Sequence, residues 1–239
     1  MSPGLVKIFY FFNFLLKGKK LTYKLFYPVE NVNASEGIRV VLEEIGADYE
    51  LIETTKDRTK PRPKAQIDLN PNGWVPVLAL EGGKKGIYEC AAITIFLCDR
   101  HPEAGLAPRV DEMERGLYLQ TLVYFSSSVQ NAFQLDYYPD RFADTKTAQR
   151  SAQRRGCLRL RETWKIIDDQ IGKNKWLLGD SFSAADIYLF MLTTWLRPER
   201  GHPSFYEFPN ISRIFRMVLN RPSIQLVYQK WIKENIKEV

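Results

Sequence analysis

The sequence predicts a small α/β layer followed by an all-α region. Three observations carry this reading. Short strand-like runs alternate with helical patterns from Leu21 to about Pro102, which is the signature of an α/β layer, here of about four strands. From Glu103 onward the apolar spacing is helical and no convincing strand is present. Between the two lies the proline- and glycine-bearing run His101-Pro102-Glu103-Ala104-Gly105, which reads as a linker. The expected organisation is therefore an extension over 1–20, an α/β domain over 21–102 and a helical domain over 103–239.

In chain order, the first strand is expected over Lys24–Tyr27, a helix over Glu36–Gly46 and a second strand over Tyr49–Glu53. A turn region follows, then strands Val77–Leu80 and Gly86–Tyr88 joined across Gly82-Gly83, and a helix running to Arg100. The helical region divides into periodic stretches at Val110–Leu135, Thr145–Ile171, Ala184–Trp195, Ile211–Asn220 and Ser223–Ile236. Ser183-Ala184-Ala185-Asp186 has capping-box spacing, with Phe182 and Ile187 at staple positions, so it reads as a structural helix start.

Bulk properties narrow the function classes. The chain of 239 residues is 45% hydrophobic and 26% charged, as in a soluble protein with a substantial core. Its three cysteines show no CxxC spacing, and two histidines cannot build a histidine metal cluster, so no metal is expected. A reducing, cytoplasmic compartment is the simplest expectation. The net charge of +6 suggests nucleic acid at first sight, but Lys7, Lys17, Lys19 and Lys20 supply four of those charges within the first twenty residues. The remaining basic groups are spread around helices, as on a solvated face, so nucleic acid is not expected as a partner. Leu5–Leu16 is apolar apart from Lys7 and Asn13 but shorter than the roughly 20 residues of a membrane span, and it lacks a signal-peptide pattern. A segment without a role, a peripheral contact and an extra packed element remain open for it.

The most informative segment is Asn70-Pro71-Asn72-Gly73-Trp74-Val75-Pro76, followed thirteen residues after Pro76 by Glu89-Cys90-Ala91-Ala92-Ile93. X-Pro is where a cis bond is cheap enough to be used structurally. A cis Val75-Pro76 would turn the Val75 N–H and C=O outward to pair with an extended peptide. Glu89 and the Cys90 N–H fall at a helix start, suited to an ammonium and a carboxylate respectively. An ordinary turn and a first-turn acid are the plainer readings of the same residues.

These two motifs resemble the glutathione-binding half of cytosolic glutathione transferases, with their N-P-x-G-x-V-P and E-S-x-A-I patterns. Lys24–Tyr27 and Ile38–Gly46 resemble the family's first strand and helix, and Gly179–Asp186 its motif in the helical half. The resemblance, to serine-type or beta-like bacterial members, implies a thioredoxin-like N-terminal domain followed by an all-helical C-terminal domain. It implies conjugation of glutathione, a co-substrate rather than a cofactor, to a hydrophobic electrophilic small molecule, and it implies a homodimer. Trp74, Val75, Pro76, Glu89 and Cys90 would hold glutathione. Ser35, in a Ser-Glu-Gly-Ile-Arg run, would stabilise the thiolate, with Tyr27 the second candidate and a plain N-cap serine the structural alternative. Tyr118 and Phe125, on one helix face with Leu122 and Val129, and Trp195 would line the second-substrate pocket, though a core stripe explains the face equally. Tyr124, Tyr137 and Tyr138 are further candidates. The chain departs from the family in carrying Cys90 where a Ser or Thr is usual and in a longer Pro28–Asn33 loop. A glutathione-dependent isomerase and a non-catalytic binding or assembly module are the rival readings.

Overall fold

The computed structural model describes residues 22–28, 32–80 and 82–236. The readings of residues 1–20 lie outside the described residues, as do residues 29–31 of the long loop.

Four strands form one mixed sheet in the order β2-β1-β3-β4. β1 (Thr22–Pro28) runs parallel to β2 (Asp48–Thr54), from Thr22↔Asp48 to Pro28↔Thr54. That pairing needs a crossover, which α1 (Ala34–Glu44) supplies. β3 (Val77–Ala79) is antiparallel to β1, and β4 (Gly86–Tyr88) is antiparallel to β3 through the Gly82-Gly83 hairpin. The period of two divides the sheet between two cores. Leu25 and Leu78 face the main core with Ile38 and Val41 of α1 and with Ile93 and Leu97 of α3 (Cys90–Arg100). Phe26, Val77 and Ala79 face the other way, against Ile52, Leu69 and Val75.

The expected start of α1 moves by two residues. Asn33, not Ser35, is the N-cap: its side chain accepts the Ser35 N–H at 2.8 Å, while Glu36 accepts the Asn33 N–H at 3.1 Å. Asn33-x-x-Glu36 completes a reciprocal capping box, which outweighs a lone serine two residues later. A short helix, α2 (Lys64–Leu69), occupies part of the segment read as a turn region.

In the helical half, α4 (Glu114–Tyr124) passes through a wide π turn at Phe125–Val129 into α5 (Gln130–Tyr137), so the single expected helix is interrupted. α6 (Lys146–Ile171) keeps its expected length. α7 (Ala184–Thr193) is buried along its whole length, as its almost unbroken apolar sequence requires. The Ser183–Asp186 capping box is present, and Asp186 also accepts the Leu177 N–H at 2.8 Å. α8 (Pro209–Leu219) follows, and the last expected helix is divided at Tyr228 into α9 (Pro222–Val227) and α10 (Gln229–Asn235).

The halves meet closely. A Cβ on Gly37 would stand 2.5 Å from the Met191 sulfur, so a larger residue there would displace the Met191 side chain where α1 meets α7. Glu44 of α1 takes two hydrogen bonds from Arg221, at 2.8 and 2.6 Å, and a third from Ser223 at the start of α9. No helix among the described residues is long and apolar enough to cross a membrane.

Candidate functional site: a cleft between the sheet domain and the helical domain

The loop after α2 is shaped by side chains that hold its carbonyls. Gln66, fully buried, donates to the Gly73 carbonyl at 3.1 Å and to the Trp74 carbonyl at 3.4 Å, and accepts the Thr54 hydroxyl. Asn70 donates to the Trp74 carbonyl at 3.1 Å, and Arg62 to that of Gly73 at 3.1 Å. Gly73 turns with φ +69°. The chain then enters β3 through a cis Val75-Pro76 bond, and no described residue hydrogen-bonds the Val75 N–H or C=O. A residue shaped like a strand but unpaired on one side can pair with an extended ligand.

Opposite this loop, Glu89 precedes α3 with φ +72°, alone among the described non-glycine residues in having positive φ. Such a conformation costs about 1–3 kcal/mol and persists where its surroundings demand it, commonly at ligand sites. It leaves the Glu89 carboxylate exposed and the Cys90 N–H at the helix start. The Cys90 side chain does not face a ligand: it is 4% exposed, its thiol reaches the Ala34 carbonyl at 3.9 Å, and burial pushes its pKa up to about 12. It is a packed thiol, inert at neutral pH.

Between the two domains lies a cleft of about 580 Å³. Its sheet-side wall carries Val32, Asn33 and Ala34 at the start of α1, the Asn70–Pro76 loop, Glu89 and Cys90, with Lys56, Arg58 and Arg62 along one rim. Its helical wall carries Gln130, Phe133, Gln134, Tyr137, Tyr138, Arg141, Trp195 and Arg197. Two contacts cross the opening. The Arg141 guanidinium lies over the rings of both Trp74 and Tyr138, 4.1 and 4.2 Å from their centres, and Arg58 pairs with Asp140 at 2.8 Å.

Of the residues singled out from sequence, Trp74, Val75, Pro76, Glu89, Cys90 and Trp195 line this cleft, as do Tyr137 and Tyr138. Four principal candidates are placed elsewhere. Ser35 is fully buried and donates its hydroxyl to the Phe26 carbonyl at 3.0 Å, so its one proton is spent inside the sheet domain. Tyr27 is not among the lining residues: it donates to Glu36 at 3.4 Å, and burial pushes its pKa up to about 12. Tyr118 and Phe125 are fully buried together with Leu122 and Val129, so that face is a core stripe. Beyond the π turn, α5 presents Gln130, Phe133, Gln134 and Tyr137 to the cleft instead. Tyr124 does not line it either. The cleft cations and glutamines were missed because single polar residues in loops and on a helix carry no periodic signal.

Near the helical wall, Asp136, Cys157 and His202 bring their ligand atoms within 4.8 Å of one another. They are already committed. Asp136 accepts from Arg200 at 2.7 Å and pairs with His202 Nε2 at 2.9 Å, and His202 Nδ1 accepts the Arg197 N–H at 3.1 Å. Since Nδ1 accepts, the ring proton lies on Nε2 and points to Asp136. The cluster anchors the segment that carries Arg197 beside the cleft.

Family models for the glutathione S-transferase N-terminal and C-terminal domains match residues 34–100 and 138–222 respectively. The chain is 25% identical over 205 residues to the glutathione S-transferase GstA of Escherichia coli O157:H7, covering 84% of this chain and 95% of that one. It is 21% identical over 212 residues to the probable glutathione S-transferase GSTF1 of Oryza sativa subsp. japonica, covering 84% and 93%. A glutathione transferase homologue from Sulfitobacter has the same fold, with a TM-score of 0.77 at 22% identity over 88% of this chain and 98% of that one. With its sheet domain, its helical domain and both domain patterns in the right order, the chain belongs to the glutathione S-transferase family.

Proposed function

We propose that the cleft binds glutathione and conjugates its thiol to an electrophilic small molecule. The observation that carries this reading is the unpaired Val75 backbone facing the positive-φ Glu89 at the start of α3, within one cleft. Glutathione is a short extended peptide with an amino-acid end. Val75 offers it strand-like pairing through its cysteinyl residue, Glu89 takes its ammonium, and the Cys90 N–H takes the neighbouring carboxylate. Lys56, Arg58 and Arg62 suit its glycyl carboxylate. The Sulfitobacter homologue is described with bound glutathione, which supports the same ligand here.

Conjugation needs the thiolate, and a free thiol with a pKa near 8.5 is mostly protonated at pH 7. With the Ser35 and Tyr27 hydroxyls turned away, the stabilising group is the start of α1 itself. Ala34 lines the cleft there, and the helix dipole favours a negative charge at its first N–H groups. Three exposed apolar residues at and before the start of α4, Val110, Met113 and Leu117, at 84%, 90% and 54% exposure, support the homodimer that the family resemblance implies. The free Cys90, Cys98 and Cys157 suit a reducing, cytoplasmic setting.

The test is retention on immobilised glutathione together with conjugation of 1-chloro-2,4-dinitrobenzene followed by absorbance. Retention with turnover is the expected result. Retention without turnover leaves a binding module and removes conjugation, and absence of both retention and turnover removes the reading. Within the site, Glu89→Ala is expected to weaken glutathione binding by about 1.5–3 kcal/mol, the value of a hydrogen bond to a charged group. Calorimetric titration checks it, and an unchanged Kd takes Glu89 out of the site.

A further inference from the structure

The two walls of the cleft differ in what they leave unsatisfied. Glutathione carries two carboxylates and one ammonium at neutral pH, and the sheet-side wall, with Glu89, the helix starts and its rim cations, matches that set. The helical wall has no carboxylate among its lining residues. Its unspent polar groups include several donors. Gln130 accepts the Tyr188 hydroxyl at 2.9 Å, which leaves its amide NH2 over. The Trp195 ring N–H is buried with no partner among the described residues. Arg197 spends one guanidinium nitrogen on the Thr194 and Leu196 carbonyls, at 2.9 and 2.8 Å, and forms no ion pair among the described residues.

Arg197 is also held in place before any ligand arrives. Its N–H is fixed by His202, which is fixed by Asp136, and the Tyr137 hydroxyl fixes the Trp195 carbonyl at 2.6 Å. An anchor built this way loses little conformational freedom on binding an anion. Beside it, Phe133 and Tyr137 lie parallel with ring centres 6.1 Å apart, and Trp195 stands edge-on to Phe133 at 5.6 Å. Flat apolar surfaces next to a guanidinium that has no ion-pair partner among the described residues fit a flat ring that bears a negative charge.

We propose that the second substrate is an anionic aromatic electrophile, with its carboxylate on Arg197 and its ring against Tyr137 and Trp195, which the buried Phe133 backs from behind. The proposal rests on the glutathione reading of the cleft and adds the chemical class of the acceptor.

A matched pair of acceptors tests it: 4-chloro-3,5-dinitrobenzoate and its methyl ester. In both, the glutathione sulfur attacks the chlorine-bearing ring carbon, the C–S bond forms, the C–Cl bond breaks, chloride leaves with its electron pair, and the thiol proton passes to solvent. Each kcat/KM is divided by the uncatalysed rate constant with glutathione at the same pH. The acid is expected to exceed the ester by about tenfold or more, the order of a charge-assisted hydrogen-bonded pair. That ratio should shrink as sodium chloride is added. Arg197→Gln should bring it close to one, and Arg197→Lys should keep part of it. A wild-type ratio at or below one overturns the proposal, as does a ratio that folded Arg197→Gln leaves unchanged. Should Arg197→Gln fail to fold, the wild-type ratio and its salt dependence decide. Calorimetry of 4-nitrobenzoate and methyl 4-nitrobenzoate, with and without S-methylglutathione, separates the two readings. Tighter binding of the acid without turnover of either acceptor sinks conjugation but keeps the anion-binding wall. Turnover of both acceptors without preference sinks the wall alone.

Discussion

Ser35 illustrates how far a residue type alone can mislead. A serine just ahead of a helical period and four residues before an arginine fits both an N-cap and a thiolate donor; in the structure it does not cap the helix, and its hydroxyl is bonded inside the sheet domain. Asn33 caps α1, and the Ser35 hydroxyl is spent on Phe26. Ser35→Ala is therefore expected to cost about 1 kcal/mol of stability, the net worth of a buried hydrogen bond, and to leave the pKa of bound glutathione unshifted. Titrating thiolate absorbance in the variant checks this, and an upward shift returns the hydroxyl to the chemistry. Glu36 of the same capping box makes a second prediction. Burial pushes its pKa up to about 7, against the opposing pull of the Asn33 N–H, the Tyr27 hydroxyl and the nearby Lys56 and Arg39 charges. The folded state thus holds this proton more tightly than the unfolded chain does. Its contribution to stability is full below the unfolded pKa near 4.5 and is lost as pH rises through about 7. Urea unfolding of wild type and Glu36→Gln at pH 4.5 and 7.5 should show a smaller loss in the variant, by on the order of 2 kcal/mol. Equal losses in both proteins would mean that Glu36 is ionised throughout.

At the scale of elements, legibility followed the locality of the signal. Strand β4, the start of α3 and the whole of α6 were readable because a glycine hairpin, an apolar period or a cap stands next to each in sequence. The cis turn was readable because proline and glycine dictate backbone locally. α2 was not, since Lys-Ala-Gln-Ile-Asp-Leu is too short for a helical period to show and is ordered by Gln66 reaching to Thr54 and to the 73–74 carbonyls. The π turn at Phe125–Val129 and the break at Tyr228 also lack local markers, so continuous helices were expected there. Of the site, the glutathione half was legible as a motif. The helical wall was not, because its Gln, Arg and Tyr residues become a surface only after α5 and the 195–202 segment are brought together. One glycine records that assembly. A Cβ on Gly156 of α6 would stand 2.9 Å from the Ala132 carbonyl and 3.0 Å from Leu135, both on α5. Gly156→Ala gains helix propensity but wedges apart the helix that carries the wall, so it should destabilise the protein by about 1–3 kcal/mol, as overpacking does. A lower urea midpoint with unchanged m-value is the expected readout, and a raised midpoint would show that α5 yields easily.

Across the whole molecule, the cleft keeps its shape only if the two domains stay in register, and the α1–α9 contact bears on this directly. Burial pushes the Glu44 carboxyl up, but the hydrogen bonds from Arg221 and Ser223 outweigh it and hold its pKa below the usual carboxylate range. Arg221 also lies with its guanidinium 3.8 Å from the centre of the Phe182 ring, next to the cap of α7, so one side chain ties α1, α7 and α9 together. Removing Arg221 alone leaves a mostly buried carboxylate with a hydroxyl for its partner, whereas removing both charges leaves none to desolvate. In a double-mutant cycle, Arg221→Met should therefore cost more on wild type than on Glu44→Gln, with a coupling of about 1–3 kcal/mol. The sign with pH is opposite to that of Glu36. A lowered folded pKa gives stability that is present above the unfolded pKa near 4.5 and lost as pH falls through the lower folded value. Wild type should accordingly lose more stability between pH 6 and pH 3 than the double variant does. Glutathione affinity, measured at pH 7 in the double variant, should weaken as well, although Glu44 and Arg221 do not line the cleft. Matched acid sensitivity in the two proteins, or additive single costs, would show that the contact does not hold the domains in register.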